Sequence, residues 1–263
     1  MQLGAAALWL SGGEGSAAPF DVATDIDPLH WYLATQVTES GGLVDSLNDQ
    51  GNAPVNFVQV GAARAPIAID GDGDAYLAFD GAADYYTAGV AADWAFISNG
   101  GPFTIAFVVH RPTPPGGGGQ TLLDSCGGAS ANVGMSLYNF TAPSSYYYFV
   151  VANGSGFPLQ MNSAPITTEK QVVVLRHTGT QAPSPIGVDA VFRRQGCQVG
   201  QCIRGPAFVP SNPTYTLNLG RSGAGGSFYP GRVYELSLDD KAWSDRQVMG
   251  YEDYARQRYS VPV

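Results

Sequence analysis

The stretch FYPGRVYELSLDDKAWSDRQVMGYEDYARQRYS, residues 228–260, holds two periodicities in succession. In its first half Tyr234, Leu236 and Leu238 alternate with Glu235, Ser237 and Asp239. A period of two belongs to a β-strand, because successive side chains point to opposite faces. The apolar set reads as the buried face and the acidic set as the solvated one. From Ser244 the period lengthens, and Val248, Tyr251, Ala255 and Tyr259 recur at spacings of 3, 4 and 4. That makes one apolar stripe on a helix. Ser244 is placed to cap this helix, Gln247 completes a capping box, and Trp243 and Val248 form a hydrophobic staple. The stretch therefore predicts a closing strand and a terminal helix that docks on the sheet.

Glu235 and Asp239 raise the question of paired carboxylates. Glycoside hydrolysis uses two acids about 5–9.5 Å apart. Along a strand Glu235 and Asp239 stand about 13 Å apart, and the position at about 7 Å holds Ser237. Asp239 and Asp240 fall where the strand turns toward the helix, where acids serve turns and helix N-termini. No catalytic residue is assigned.

Upstream, short apolar runs such as FTIAFVVHR (103–111), QVVVLRH (171–177) and YTLNLG (215–220) alternate with turn clusters such as PTPPGGGG (112–119) and RSGAGGS (221–227). This is the pattern of an all-β sandwich or barrel. The 263 residues suit one large all-β domain, and 34 glycines, 18 prolines and only 13% charged residues favour strands and loops. Net charge is −9, and the 13 basic residues form no cluster. Nucleic acid is therefore excluded as a partner, as is binding to anionic membrane. No segment is long and apolar enough for membrane insertion.

Four further groups draw attention. Asp70, Asp72 and Asp74 in IDGDGDAY alternate like the start of a calcium loop but lack its closing glutamate. They read either as a solvated acidic turn or as a calcium site, and calcium is the one cofactor considered. In SSYYYFVV (144–151), Tyr146 and Tyr148 share a face opposite Tyr147 and Phe149. One face must be core, and the other is a platform for stacking on sugar rings or on protein. Trp94, in DWAFISNGG (93–101), is a second candidate for carbohydrate contact. Cys197 and Cys202 in GCQVGQC either close a local disulfide or stay free, with Cys126 alone.

Several pieces together resemble a known family. The stretch 228–260, WYLATQVTESGGLVDSLNDQGNAP (31–54), AYLAFDGAADYY (75–86) and FTIAFVVHR (103–111) follow one another as in laminin-G-like domains of the concanavalin A-like lectin/glucanase superfamily. The resemblance covers roughly residues 29–260. It implies a jelly-roll sandwich of two antiparallel sheets with a C-terminal helix over residues 29–263. Glucanases of that superfamily carry E-x-D-x-x-E on one strand. No stretch here matches it, so the resemblance implies a non-catalytic, lectin-like member. Laminin-G-like domains of this kind resemble phage virion proteins. That implies a structural, decoration or adhesion role on a virion surface, with assembly proteins and glycans as partners and a homo-oligomer as one assembly. The alternatives are a polysaccharide-degrading enzyme and a secreted bacterial carbohydrate-binding module.

Residues 1–28 lie outside the resemblance. Leu3, Leu8, Trp9 and Leu10 are apolar, carry no signal-peptide pattern, and precede the loop SGGEGSAAPF (11–20). They read as an attachment arm or as the first strand of the sandwich.

Overall fold

The computed structural model describes residues 19–61, 64–112, 119–140, 146–179, 190–194, 197–198, 201–204 and 207–262. The leading strands are β1 (His30–Ser40), β2 (Leu43–Asp49), β3 (Phe57–Gln59), β4 (Ile67–Ile69), β5 (Ala75–Asp80) and β6 (Tyr86–Ala88). A short helix, α1 (Ala95–Ser98), then leads to β7 (Pro102–His110), β8 (Gln120–Asp124), β9 (Val133–Phe140), β10 (Tyr146–Asn153) and β11 (Leu159–Pro165). The chain closes with β12 (Lys170–Thr178), β13 (Ala190–Arg194), β14 (Cys197–Gln198), β15 (Gln201–Arg204), β16 (Leu217–Leu219), β17 (Pro230–Asp239) and helix α2 (Asp245–Tyr259).

All strand pairings among the described residues are antiparallel. The back layer runs from β17 through β7 and β12 to β13 and β14. On its other edge β17 pairs first with β5 and then with the start of β1. The front layer runs β2, β3, β6, β16, β8, β9, β10, β11 and β15. Strand β1 joins the two, pairing with β17 through His30–Leu33 and with β2 through Val37–Ser40. This is the two-layer antiparallel sandwich with a C-terminal helix that the sequence predicts.

The continuous apolar runs have a physical reason. Phe103, Ile105, Phe107 and Val109 of β7 face the core between the layers. Ala106 and Val108 face a second core under α2, with Val172 and Val174 of β12. A strand covered on both faces has no place for polar alternation. Helix α2 presents Val248, Tyr251, Ala255 and Tyr259 to this second core beside Trp243. Its capping box forms as read, with Gln247 N donating to Ser244 Oγ and Gln247 Oε1 accepting from Ser244 N at 2.9 Å.

The reading of the β17 faces requires correction. The register shifts between Val233 and Glu235, so Tyr234 is an extra residue in a bulge. Val233, Leu236 and Leu238 face the core between the layers, whereas Tyr234 joins the core under the helix. Glu235, Ser237 and Asp239 are buried, not solvated, because helix α2 and β1 cover that face.

Candidate functional site

Strands β9 and β10 pair with Tyr148 opposite Tyr138. Tyr147 and Phe149 enter the core between the layers, so Tyr146 and Tyr148 stand on the outer face of the front sheet, half-buried. The rings of Tyr138 and Tyr148 meet edge-on with centroids 5.3 Å apart, and those of Tyr146 and Tyr148 lie 6.2 Å apart. The Tyr148 hydroxyl donates to Gln160 Oε1 of β11. Burial, then the neighbouring Tyr146, holds the Tyr148 hydroxyl protonated above its ordinary range, and burial does the same for Tyr138. The result is a row of three rings, in which the Tyr148 and Tyr138 hydroxyls remain donors at neutral pH. Tyr146 and Tyr148 were legible from the period of two. Tyr138 and Gln160 were not, because they join the row only through the register of β9 and β11.

Trp94 is not part of this face. It is fully buried, its indole N–H donates to Ala88 O at 2.8 Å, and its ring packs on His30 at 4.7 Å. Trp94 is a core residue, held there because its one donor finds a backbone carbonyl.

The Asp70, Asp72 and Asp74 carboxylates do converge, with ligand atoms within 4.8 Å of one another. The centre is taken by an ammonium. Lys170 Nζ lies 2.7 Å from Asp70 Oδ2, 2.9 Å from Asp72 Oδ2 and 2.5 Å from Asp74 Oδ2. It also donates to Tyr259 O at 2.9 Å, and the Tyr234 hydroxyl donates to Asp70 Oδ2 at 2.8 Å. Burial alone would raise Asp70. Lys170, the Tyr234 hydroxyl and the amides of Asp74 and Asp72 outweigh it and hold Asp70 at about 2. The triad thus ties the β4–β5 turn to β12 and to the end of α2. Lys170, 96 residues from Asp74, carries no local sequence signal of this role.

Glu235 is 1% exposed. Its Oε1 accepts from Trp31 Nε1 at 2.9 Å, and its Oε2 accepts from the hydroxyls of Tyr259 at 2.7 Å and Tyr254 at 3.1 Å. Burial raises its pKa against these three bonds. Asp239 accepts from Trp243 Nε1 at 2.8 Å. Asp49 accepts from His30 Nδ1 at 2.7 Å and from the amides of Trp31, Gly51 and Val55 at 2.7, 2.9 and 2.8 Å. Glu235 and Asp49 thus have little capacity left for a substrate, and Asp239 is fully buried with its Oδ1 unpartnered.

Cys197 is exposed and has no disulfide among the described side chains, and the side chain of Cys202, the other half of the possible local bridge, lies outside them. Cys197 stands opposite Arg194 in the β13–β14 hairpin, whereas Cys202 stands opposite Met161 of β11. The two positions are thereby committed to different strands. Leu3, Leu8, Trp9 and Leu10 lie outside the described residues.

No family model and no curated protein matches the sequence. Solved structures do match in fold. The Trypanosoma rangeli sialidase in complex with 2,3-difluorosialic acid aligns with a TM-score of 0.56 at 13% identity, over 94% of this chain and 35% of the sialidase chain. The binding domain of botulinum neurotoxin DC in complex with SialylT aligns with a TM-score of 0.58 at 10% identity, over 87% of this chain and 52% of that one. The receptor-binding domain of botulinum neurotoxin type G gives 0.56 at 9% identity, over 87% and 51%. The chain spans about a third to a half of the length of these proteins. What it shares with them is the fold, an antiparallel β-sandwich.

Proposed function

We propose that the protein is a non-catalytic glycan-binding domain that works through the tyrosine face of β9 and β10. The observation that carries this reading is the row Tyr138, Tyr148 and Tyr146, half-buried on the outer face of the front sheet and tied to Gln160. Tyrosine rings offer an apolar surface to the C–H face of a pyranose and a hydroxyl to its oxygens. Rings held by packing lose little entropy when a ligand arrives. The neurotoxin DC domain of similar fold was solved with SialylT, which supports a glycan as the ligand class. The non-catalytic part rests on the acids. Glu235 is saturated with donors beneath α2, and the close carboxylates at Asp70, Asp72 and Asp74 surround an ammonium. On the sequence resemblance to phage virion proteins, we place this binding domain on a particle surface, beside other assembly proteins. Calcium has no part in this reading.

A glycan array read with the parent protein and with Tyr146→Ala and Tyr148→Ala tests the proposal. Binding to at least one glycan class, weakened about tenfold by either substitution, is expected from loss of one stacking contact and its hydroxyl. Binding that both variants retain in full, or no binding by the parent, overturns the tyrosine-face assignment. Hydrolysis of an array glycan by the parent overturns the non-catalytic part.

A further inference from the structure

On the outer face of the back sheet, away from the tyrosine row, β5, β17 and the end of β7 frame an open groove lined by Tyr76, Ala78, Pro112, Pro230 and Arg232. Arg232 is its only charged wall residue among the described residues. The guanidinium lies over the Tyr76 ring, 4.6 Å from its centroid. One face of the guanidinium is therefore covered. Its edge is oriented by His110, whose Nδ1 is 3.4 Å from Arg232 Nη1. The tautomer follows from the other ring nitrogen. Nε2 lies 3.0 Å from the carbonyl oxygen of Thr168, which only accepts, so Nε2 carries the proton and Nδ1 offers a lone pair to Arg232. Burial, then Arg232 and Lys170, push the His110 pKa down, which agrees with this neutral form.

Arg232 forms no ion pair among the described residues, where Arg64, Arg176, Arg193 and Arg256 pair with acids. The acids nearby are engaged already. Asp70 holds Lys170 and the Tyr234 hydroxyl, and Asp80 accepts from the amides of Ala82 and Ala83 at 2.8 and 3.0 Å. Stacked on Tyr76 and bonded to His110, the guanidinium is fixed with no carboxylate against it among the described residues. Its planar fork matches a carboxylate. Tyr76, Ala78 and the two proline rings supply apolar walls beside it.

We propose that this groove binds a carboxylate carried on a sugar ring, with Arg232 holding the carboxylate, His110 positioning Arg232, and Pro112 and Pro230 flanking the apolar face of the ring. The site does not depend on the tyrosine row, and either can fail without the other.

The test is an NMR titration of the intact protein that follows the Arg232 side-chain Nε–H and the backbone amides of Arg111 and Gly231. The probes are D-glucuronate, a glucuronate-containing oligosaccharide, D-glucose and acetate. Saturable shifts are expected with glucuronate or with its oligosaccharide. The monomer responding alone marks a free sugar acid as the source, and the oligosaccharide responding alone marks a chain residue. Either supports the site. Glucose and acetate are expected to bind at least tenfold more weakly, because each lacks one half of the recognised group. In Arg232→Gln the shifts should fall at least tenfold, in line with loss of a charge-assisted pair. Arg232→Lys, which keeps the charge and loses the fork, should fall between the two. Tyr148→Ala should leave the titration unchanged. Equal response to glucuronate and glucose, equal response to acetate, or retention of binding in Arg232→Gln overturns the proposal. Should Arg232→Gln fail to fold, the Arg232→Lys series and the acetate and glucose arms decide the matter alone.

Discussion

At the scale of single residues, Lys170 has the largest structural consequence. One ammonium bonds to three carboxylates and also takes the last carbonyl of α2. A tethered cation in this position holds together a turn rich in aspartate. Replacing Lys170 by Met leaves the triad uncompensated. The expected loss is about 3 kcal/mol, at the low end for breaking a buried pair because Asp72 is exposed. It is to be measured by urea unfolding. Millimolar calcium should then raise the melting temperature of Lys170→Met and leave that of the parent unchanged, since a ligand stabilises only the fold that has room for it. A calcium shift in the parent would show that the ammonium yields its place. The same group sets an acid limit. Asp70, ordinarily at 3.8, is held at about 2 in the fold. A depressed carboxylate contributes stability above its unfolded pKa, and that contribution is lost as pH falls from about 4 toward 2. The melting temperature of the parent should fall through this window, and that of Lys170→Met should fall less steeply, because its Asp70 is no longer held down.

At the scale of elements, β17 and α2 show what a sequence reveals and what it hides. The helix was legible to its cap, because Ser244, Gln247 and the 3-4-4 spacing are local signals. The strand was legible as a strand, but its outer face was read as solvated. Glu235 looks like a surface acid until helix α2 brings Tyr254 and Tyr259 over it, and nothing within β17 announces that cover. The bulge at Tyr234 was equally silent, since it depends on the register against β7. Trp94 misled for a related reason: an aromatic in a polar loop reads as exposed, yet the 3-10 turn Ala91–Trp94 folds it into the core. Two substitutions separate the roles in this element. Ser244→Ala should cost about 1 kcal/mol, the usual value of an N-cap, with the fold intact. Glu235→Ala should cost about 2–4 kcal/mol, because it leaves the Trp31 indole and two tyrosine hydroxyls short of an acceptor in a buried place. Glu235→Gln keeps one acceptor and should cost less. Chemical denaturation of the three variants ranks them, and equal losses for Gln and Ala at Glu235 would mean that its hydrogen bonds do not hold the helix.

At the scale of the whole molecule, the sandwich was legible because its two layers impose their periods on the chain. Runs covered on both faces, such as FTIAFVV, come out almost wholly apolar, and in one-sided YYYF it is burial that alternates, with Tyr147 and Phe149 inward. Function was less legible, because candidate surfaces are assembled from distant strands. Tyr138 with Tyr148, and Tyr76 with Arg232, become neighbours only in the folded sheets. The remaining question at this scale is the role of Leu3, Leu8, Trp9 and Leu10. Both described cores are built from Phe20 onward, with Val22, Ile26 and Phe20 the earliest residues in contact with them. The attachment reading expects these described residues to suffice for the sandwich. Deleting residues 1–18 should leave the melting temperature within about 2 °C of the parent, which for a chain of this length corresponds to about 1 kcal/mol. If the segment serves attachment, the shortened protein should also sediment as a smaller species or fail to join its particle, since a few buried leucine and tryptophan side chains supply several kcal/mol, on the order of 2 each. If the shortened protein instead melts far lower, the segment supplies part of the sandwich, and the attachment reading must be abandoned.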